Sequence, residues 1–247
     1  MLEINATETM TNFSTAQTTF MDSVLRLYPR IVAFDCDGTL WSGDAGEGFF
    51  SWEMKQGLVS EEIVRWAKAR YADYKAGNVP EDVMCGEMAT MNQGLRDDVL
   101  QEAANRYFPE GIAHNIFPEM RDLVHRLRDA GCDVWAISSS NQWVIRAGMR
   151  YFGIPWDRIL TAEAVVENGL IQNRLVRIPS GPGKAEAIRE MVPGTPECAF
   201  GNSIWDREML ALCRHPFAIN PSADLKKHAL ANGWKIYQPD TNHTRRA

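Results

Sequence analysis

The apolar run Ile31-Val32-Ala33-Phe34 ends abruptly at Asp35-Cys36-Asp37-Gly38-Thr39-Leu40. Four apolar residues bounded by Asp and Gly read as a short buried strand running into a loop. Residues two apart on an extended strand point the same way. Asp35 and Asp37 therefore offer two carboxylates to one spot at the strand's carboxyl end, and Cys36 faces away. The rest of the chain tells what sheet this strand joins. From Phe117 onward, helix and strand patterns alternate. Residues 118–130 read as a helix with Pro118 at its start and Gly131 past its end. Strands are expected at 132–137, 158–161, 197–200 and 216–219, with a short extended segment at 235–237. Helices are expected at 141–152, 184–191, 204–213 and 223–231. Asn168-Gly169 suits the tight turn of a hairpin over 165–171. Such alternation calls for an α/β fold: a Rossmann-like parallel sheet with helices on both faces. Sheets of this kind bind ligands outside the carboxyl ends of their strands.

Between the first strand and this alternating region the pattern is helical only. Helix-type spacing covers 46–55, 60–76, 81–90 and 97–105, punctuated by Gly57, Gly77, Pro80 and Gly94. Ser60-Glu61-Glu62-Ile63 supplies a capping residue and first-turn acids. The insert reads as a small all-helical cap over the strand ends. The expected division is a core of 1–41 and 116–247, with 1–28 a tail carrying a short helix at 20–27, and a cap of 42–115.

Composition narrows the function. The chain has 247 residues, 45% of them hydrophobic and 23% charged, as in an ordinary globule with a substantial core. A net charge of -6 argues against nucleic acid as partner, because phosphate backbones call for a basic surface. A small phosphorylated substrate needs only a few local positive groups. No apolar run reaches membrane-span length, and the first thirty residues lack the basic-then-apolar order of a signal peptide. Five widely spaced cysteines without a CxxC pair read as reduced thiols, which points to the cytoplasm. The five histidines do not cluster, and His125 is assigned to structure. Nothing in the sequence specifies an oligomeric state.

Three later segments share the logic of the first. Ser138-Ser139-Ser140-Asn141 follows a strand and opens a helix, where a hydroxyl and free N–H groups make a phosphate cradle. Pro182-Gly183-Lys184 places an ammonium at a helix start, able to neutralise phosphate oxygens and hold a nearby carboxylate ionised. Gly201-Asn202-Ser203-Ile204-Trp205-Asp206 brings oxygen ligands to another strand end. In this order the segments resemble the four motifs of the haloacid-dehalogenase (HAD) superfamily, whose first is DxDG[ST]L, over nearly the whole chain after residue 30. The helical insert is similar to the cap of its phosphoserine-phosphatase-like branch. The resemblance implies Asp35 as nucleophile and Asp37 as general acid/base. It also implies Ser138, Ser139 and Lys184 as phosphate ligands, and Mg²⁺ held among Asp35, Asp37, Asn202 and Asp206. Asn202 departs from the pattern, which has Asp there; it keeps an oxygen ligand and loses a charge.

The expected activity is a Mg²⁺-dependent phosphomonoester hydrolase working through an aspartyl phosphate on a small phosphorylated metabolite. Asp44 stands where phosphoserine phosphatases carry an acid for the substrate amine, with Glu47 one turn on. Their carboxylate-binding arginine has no counterpart: the equivalent stretch reads Cys85-Gly86-Glu87-Met88. An amino-alcohol phosphate therefore suits the chain better than phosphoserine. Trp41, Phe49, Phe50 and Trp52 are either packing round a cation or, more simply, cap core. Arg65, Lys68 and Arg70 read as a solvated face. The alternatives are phosphotransfer to an alcohol acceptor, and a catalytically weak member that binds a phosphorylated ligand.

Overall fold

The structure, a computed structural model, describes residues 13–240. Its strands are β1 (Ile31–Phe34), β2 (Asp133–Asn141), β3 (Ile159–Glu167), β4 (Leu170–Arg177), β5 (Cys198–Gly201), β6 (His215–Ile219) and β7 (Lys235–Tyr237). They form one sheet in the order β4-β3-β2-β1-β5-β6-β7. Every neighbouring pair is parallel except β3 with β4. The α/β architecture is thus the one the alternating pattern calls for. β1 lies between β2 and β5, with Val32 opposite both Val134 and Cys198. The chain winds outward from β1 through β2 and β3, then returns to the other side at β5. That reversal opens a crevice at the carboxyl ends of β1, β2 and β5.

The helices are α1 (Thr15–Leu25), α2 (Ala45–Lys55), α3 (Glu61–Lys75), α4 (Glu81–Thr90), α5 (Asp97–Gly111), α6 (Pro118–Asp129), α7 (Gln142–Met149), α8 (Pro182–Met191), α9 (Arg207–Leu212) and α10 (Ala223–Ala231). Strand alternation sorts the core into two layers. Val32, Phe34, Val134 and Ala136 face a cluster built with α1, α5, α6 and α7. Ala33, Trp135 and Ile137 face the opposite cluster under α8, α9 and α10. A third, separate cluster joins Phe50 of α2, Ala67 of α3 and Met84 and Met88 of α4. The insert thus contains apolar packing of its own, while α5 is built into the main core.

Several boundaries differ from expectation for identifiable reasons. α1 begins at Thr15 and not near Phe20, because Ser14 and Gln17 form a capping box; of the tail expected at 1–28, residues 1–12 lie outside the described residues. β3 runs nine residues without a break into the hairpin. Its buried first half and solvated second half carry different polarity patterns, so the sequence suggests two pieces. The hairpin turn is as expected, with Asn168 and Gly169 both at positive φ (53° and 76°). His125 Nε2 lies 3.2 Å from the Tyr151 carbonyl oxygen, a structural contact. All five cysteines are free. No helix among the described residues is long and apolar enough to cross a membrane.

Glu53 of α2 is fully buried, and among the described residues neither carboxylate oxygen has a partner within ordinary hydrogen-bond geometry, with the Asn92 amide the polar neighbour. Burial pushes its carboxyl well above the ordinary 4.5. A raised carboxyl favours the folded state below the unfolded pKa, and that stability is lost as pH rises toward the folded value. Glu53→Gln is expected to remove this loss. Above pH 5 the wild type should lose stability through this group, at a slope of up to about 1.4 kcal/mol per pH unit, a slope the variant lacks. Thermal melts across that range check it; parallel slopes in the two proteins would refute it.

Candidate active site

Asp35 follows β1 directly, and its N–H donates to the Phe200 carbonyl of β5 at 2.9 Å. That bond ties the end of β1 to the end of β5. The Asp35 carboxylate accepts from Thr39 Oγ1 at 2.8 Å and from Lys184 Nζ at 2.6 Å. Lys184 stands in the first turn of α8, and its Nζ also lies 2.5 Å from Asp206 Oδ1. The second Asp206 oxygen accepts from the N–H groups of Asn202 and Ser203, both at 2.9 Å. Residues 149 and 22 positions apart thus meet as a carboxylate–ammonium–carboxylate triad with almost no solvent exposure. Burial and the Asp206 charge raise the Asp35 carboxyl to about 6, against the pull of Lys184. Burial opposes the charge on Lys184, but Asp206 and Asp35 outweigh it and hold the ammonium above its ordinary range. The triad needs its cation: two buried carboxylates this close would not both ionise without it.

Asp37 is oriented differently. One oxygen accepts from Trp41 Nε1 at 2.8 Å and from the Ala45 N–H at 2.5 Å; the other accepts from Ser140 Oγ at 2.7 Å. Burial and the neighbouring Asp44 raise its carboxyl to about 7, partly offset by the Ala45 N–H and Ser140. Two glycines make the arrangement possible. Gly38 sits at φ 77°, and a Cβ there would fall 1.9 Å from the Asn202 side chain. A Cβ on Gly46 would fall 2.4 Å from Ser140 Oγ.

β2 is irregular between Ile137 and Asn141, where its register against β3 shifts. The irregularity decides which serine meets the pocket. Ser138 is buried and its hydroxyl accepts from the Ser140 N–H at 3.1 Å. Ser139 and Ser140 line the pocket, and Ser138 does not. Of the two hydroxyls expected here, that of Ser139 lines the pocket and that of Ser138 does not, and Ser140 lines it as well.

The pocket is a cavity of about 250 Å³ over Asp35, Asp37 and Lys184. Its opposite wall comes from α2, α3 and α4. Asp44 and Glu47 both line it, as their positions suggest, but one Asp44 oxygen is already engaged in capping α2 through the Glu47 N–H at 2.8 Å. Glu81, in the first turn of α4, accepts from Ser180 Oγ at 3.0 Å, and burial raises its carboxyl to about 7. Trp41, Phe49 and Phe50 are buried core, the simpler of the two readings, and Trp52 packs against that core with the Arg106 guanidinium over its ring at 5.7 Å. Tyr71, Tyr74 and Lys75 of α3 and the half-exposed Trp205 line the cavity instead. Arg70 is not simply solvated: it makes two bonds to Glu87, at 2.7 and 2.9 Å, and so couples α3 to α4.

The four oxygen ligands expected for a metal do not converge as a set. Among the described residues, no group of three or more His, Cys, Asp or Glu could hold an ion. Both Asp206 oxygens are committed to Lys184 and the loop N–H groups, and both Asp37 oxygens to three donors. A hydrogen bond on each carboxylate oxygen leaves a second lone pair there, and both Asp35 oxygens accept in the same way from Lys184 and Thr39. Asp35, Asp37 and Asn202 line the pocket, and Asp206 does not. The Asn202 side-chain amide has no partner among the described residues and lines the pocket beside Gly38. Carboxylate and amide oxygens fit Mg²⁺, which keeps several waters and takes substrate oxygens as further ligands.

Sequence reasoning overlooked Ser140, Glu81, Tyr71, Tyr74 and Lys75. The spacing of the last three places them on one helix face, a signal legible in the sequence. Comparison with known proteins gives an independent view. The family model described as haloacid dehalogenase-like hydrolase matches residues 32–211. The chain is 28% identical over 219 residues to the inhibition of morphological differentiation protein of Streptomyces azureus, covering 84% of this chain and 78% of that one. It is 27% identical over 218 residues to a histidinol-phosphatase of Neisseria meningitidis, covering 84% and 97%. A crystal structure of a protein of unknown function from Bordetella pertussis Tohama I shares the fold, with a TM-score of 0.75 at 19% identity and coverage of 84% and 97%.

Proposed function

Because the chain belongs to the haloacid dehalogenase-like hydrolase family, we propose that it is a phosphomonoesterase that forms an aspartyl phosphate on Asp35 and acts on a small amino-alcohol phosphate. The observation that carries this reading is the Asp35–Lys184–Asp206 triad, open to a pocket that also contains Asp37. Asp35 attacks phosphorus and displaces the alcohol oxygen. Asp37, whose carboxyl is raised to about 7, gives its proton to that oxygen and then takes one from the water that cleaves the acyl phosphate. Ser140 and the Ala45 N–H fix its orientation between the two steps. Lys184 keeps Asp35 ionised and, with the hydroxyl of Ser139, balances charge on the phosphoryl oxygens. Asp35 and Asn202 would hold Mg²⁺, which when bound lowers the repulsion between the Asp35 carboxylate and an anionic ester.

Residues 42–115 are taken as the cap that selects the leaving group. The acids Asp44, Glu47 and Glu81 on the cap side of the pocket favour a cationic alcohol. The Neisseria relative is named histidinol-phosphatase, which supports the reading as a phosphatase of a small molecule. Phosphate release from p-nitrophenyl phosphate, phosphoethanolamine, phosphocholine and phosphoserine, with Mg²⁺ and with EDTA, tests the reading. Release is expected from the first three, with EDTA reducing it at least tenfold. Absence of release from all four would sink the proposal, and transfer of the phosphoryl group to an added alcohol would favour a phosphotransferase.

A further inference from the structure

Among the described residues, the outer half of the pocket is lined by three acids, Asp44, Glu47 and Glu81, and by one cation, Lys75, while Lys184 lies at the inner end between Asp35 and Asp206. Lys75 ends α3 and turns its ammonium back over that helix. Nζ lies 3.3 Å from Glu47 Oε2, 4.9 Å from the Tyr71 ring centre and 5.7 Å from that of Tyr74. A carboxylate and two aromatic faces around one nitrogen are the surroundings that an ammonium ligand seeks. All four residues line the same cavity as Asp35.

We propose that Glu47, Tyr71 and Tyr74 form the subsite for the cationic end of the substrate's leaving group, and that Lys75 is a tethered surrogate which the substrate must displace. This rests on the phosphatase reading above and specifies its substrate class: phosphomonoesters of alcohols that carry a primary or quaternary ammonium. Displacement is cheap. The Lys75 side chain is 56% exposed, its stem is flexible, and ion pairs this exposed contribute little. The opposite role, Lys75 as anchor for a substrate carboxylate, conflicts with the charge balance. A carboxylate there would stand among three acids with one cation already paired to Glu47.

The test is the ratio of kcat/KM for phosphocholine to that for glycerol phosphate, measured in the wild type, Lys75→Met and Glu47→Gln. The ratio should rise about fivefold in Lys75→Met, where the competing ammonium is gone, and fall about tenfold in Glu47→Gln. Choline chloride should also inhibit hydrolysis of p-nitrophenyl phosphate more strongly in Lys75→Met. Because that substitution is on an exposed side chain, folding is not at issue. An unchanged or lowered ratio in Lys75→Met, or tighter use of phosphoserine by the wild type than by that variant, overturns the inference while leaving the phosphatase reading intact. A wild type that cleaves none of these esters overturns the phosphatase reading itself.

Discussion

Asp35→Asn is expected to lower kcat by about 10⁴-fold or more, because a neutral amide cannot form the acyl phosphate on which turnover depends. The fold should survive. Asp35 is buried, and its carboxyl is raised because the charged form is unfavourable there; an isosteric neutral amide relieves that burden, its one oxygen accepting from Lys184 and its NH2 group donating to the Thr39 hydroxyl in place of the bond that Thr39 now donates. A thermal midpoint within a few degrees of the wild type should therefore accompany the loss of phosphate release. The pairing of these results matters, since unfolding would also abolish activity. Undiminished hydrolysis by a folded variant removes Asp35 from its assigned role.

Lys184→Met should damage both activity and stability. The ammonium separates two buried carboxylates, at 2.6 Å from Asp35 and 2.5 Å from Asp206. Removing one partner of a buried ion pair costs about 3–5 kcal/mol, since it strands the charge left behind. For a chain of this size that corresponds to a fall in thermal midpoint of roughly 6–20 °C. The loss should be larger at pH 8 than at pH 5.5: without the cation the two acids share a proton, and holding it becomes harder as pH rises. Activity should fall by about 10²-fold or more through loss of charge balance on the phosphoryl oxygens. A midpoint unchanged at both pH values would mean that Lys184 does not hold the acids together, and the site described here would lose its centre.

Much of the site was legible before any coordinates. Asp35, Asp37, Lys184 and Asp206 each follow a strand or open a helix, so local pattern alone places them at the carboxyl edge of a parallel sheet. What each does there was less legible. The resemblance implies Asp206 as a metal ligand, and the structure shows its oxygens also accepting from Lys184 and from two backbone N–H groups. Ser138 occupies the expected position along β2, yet the irregularity after Ile137 hands the pocket to Ser139 and Ser140. Arg70 and Glu87 belong to different helices whose relative placement no periodicity encodes, so their pairing could not be anticipated.

The amino-acid order by itself determined the elements, the parallel sheet and the segments that supply the chemistry, because strand and helix periodicities and turn residues act over a few positions. Only the tertiary structure decided which donor meets which acceptor. Ser140 reaches Asp37 across 103 residues, and Lys184 reaches Asp35 across 149. The Tyr71–Tyr74–Lys75 face of α3 closes on Glu47 of α2. Such contacts depend on crossovers, register and helix packing settled by burial of the whole core, and hydrogen-bond geometry tolerates errors of only a few tenths of an ångström.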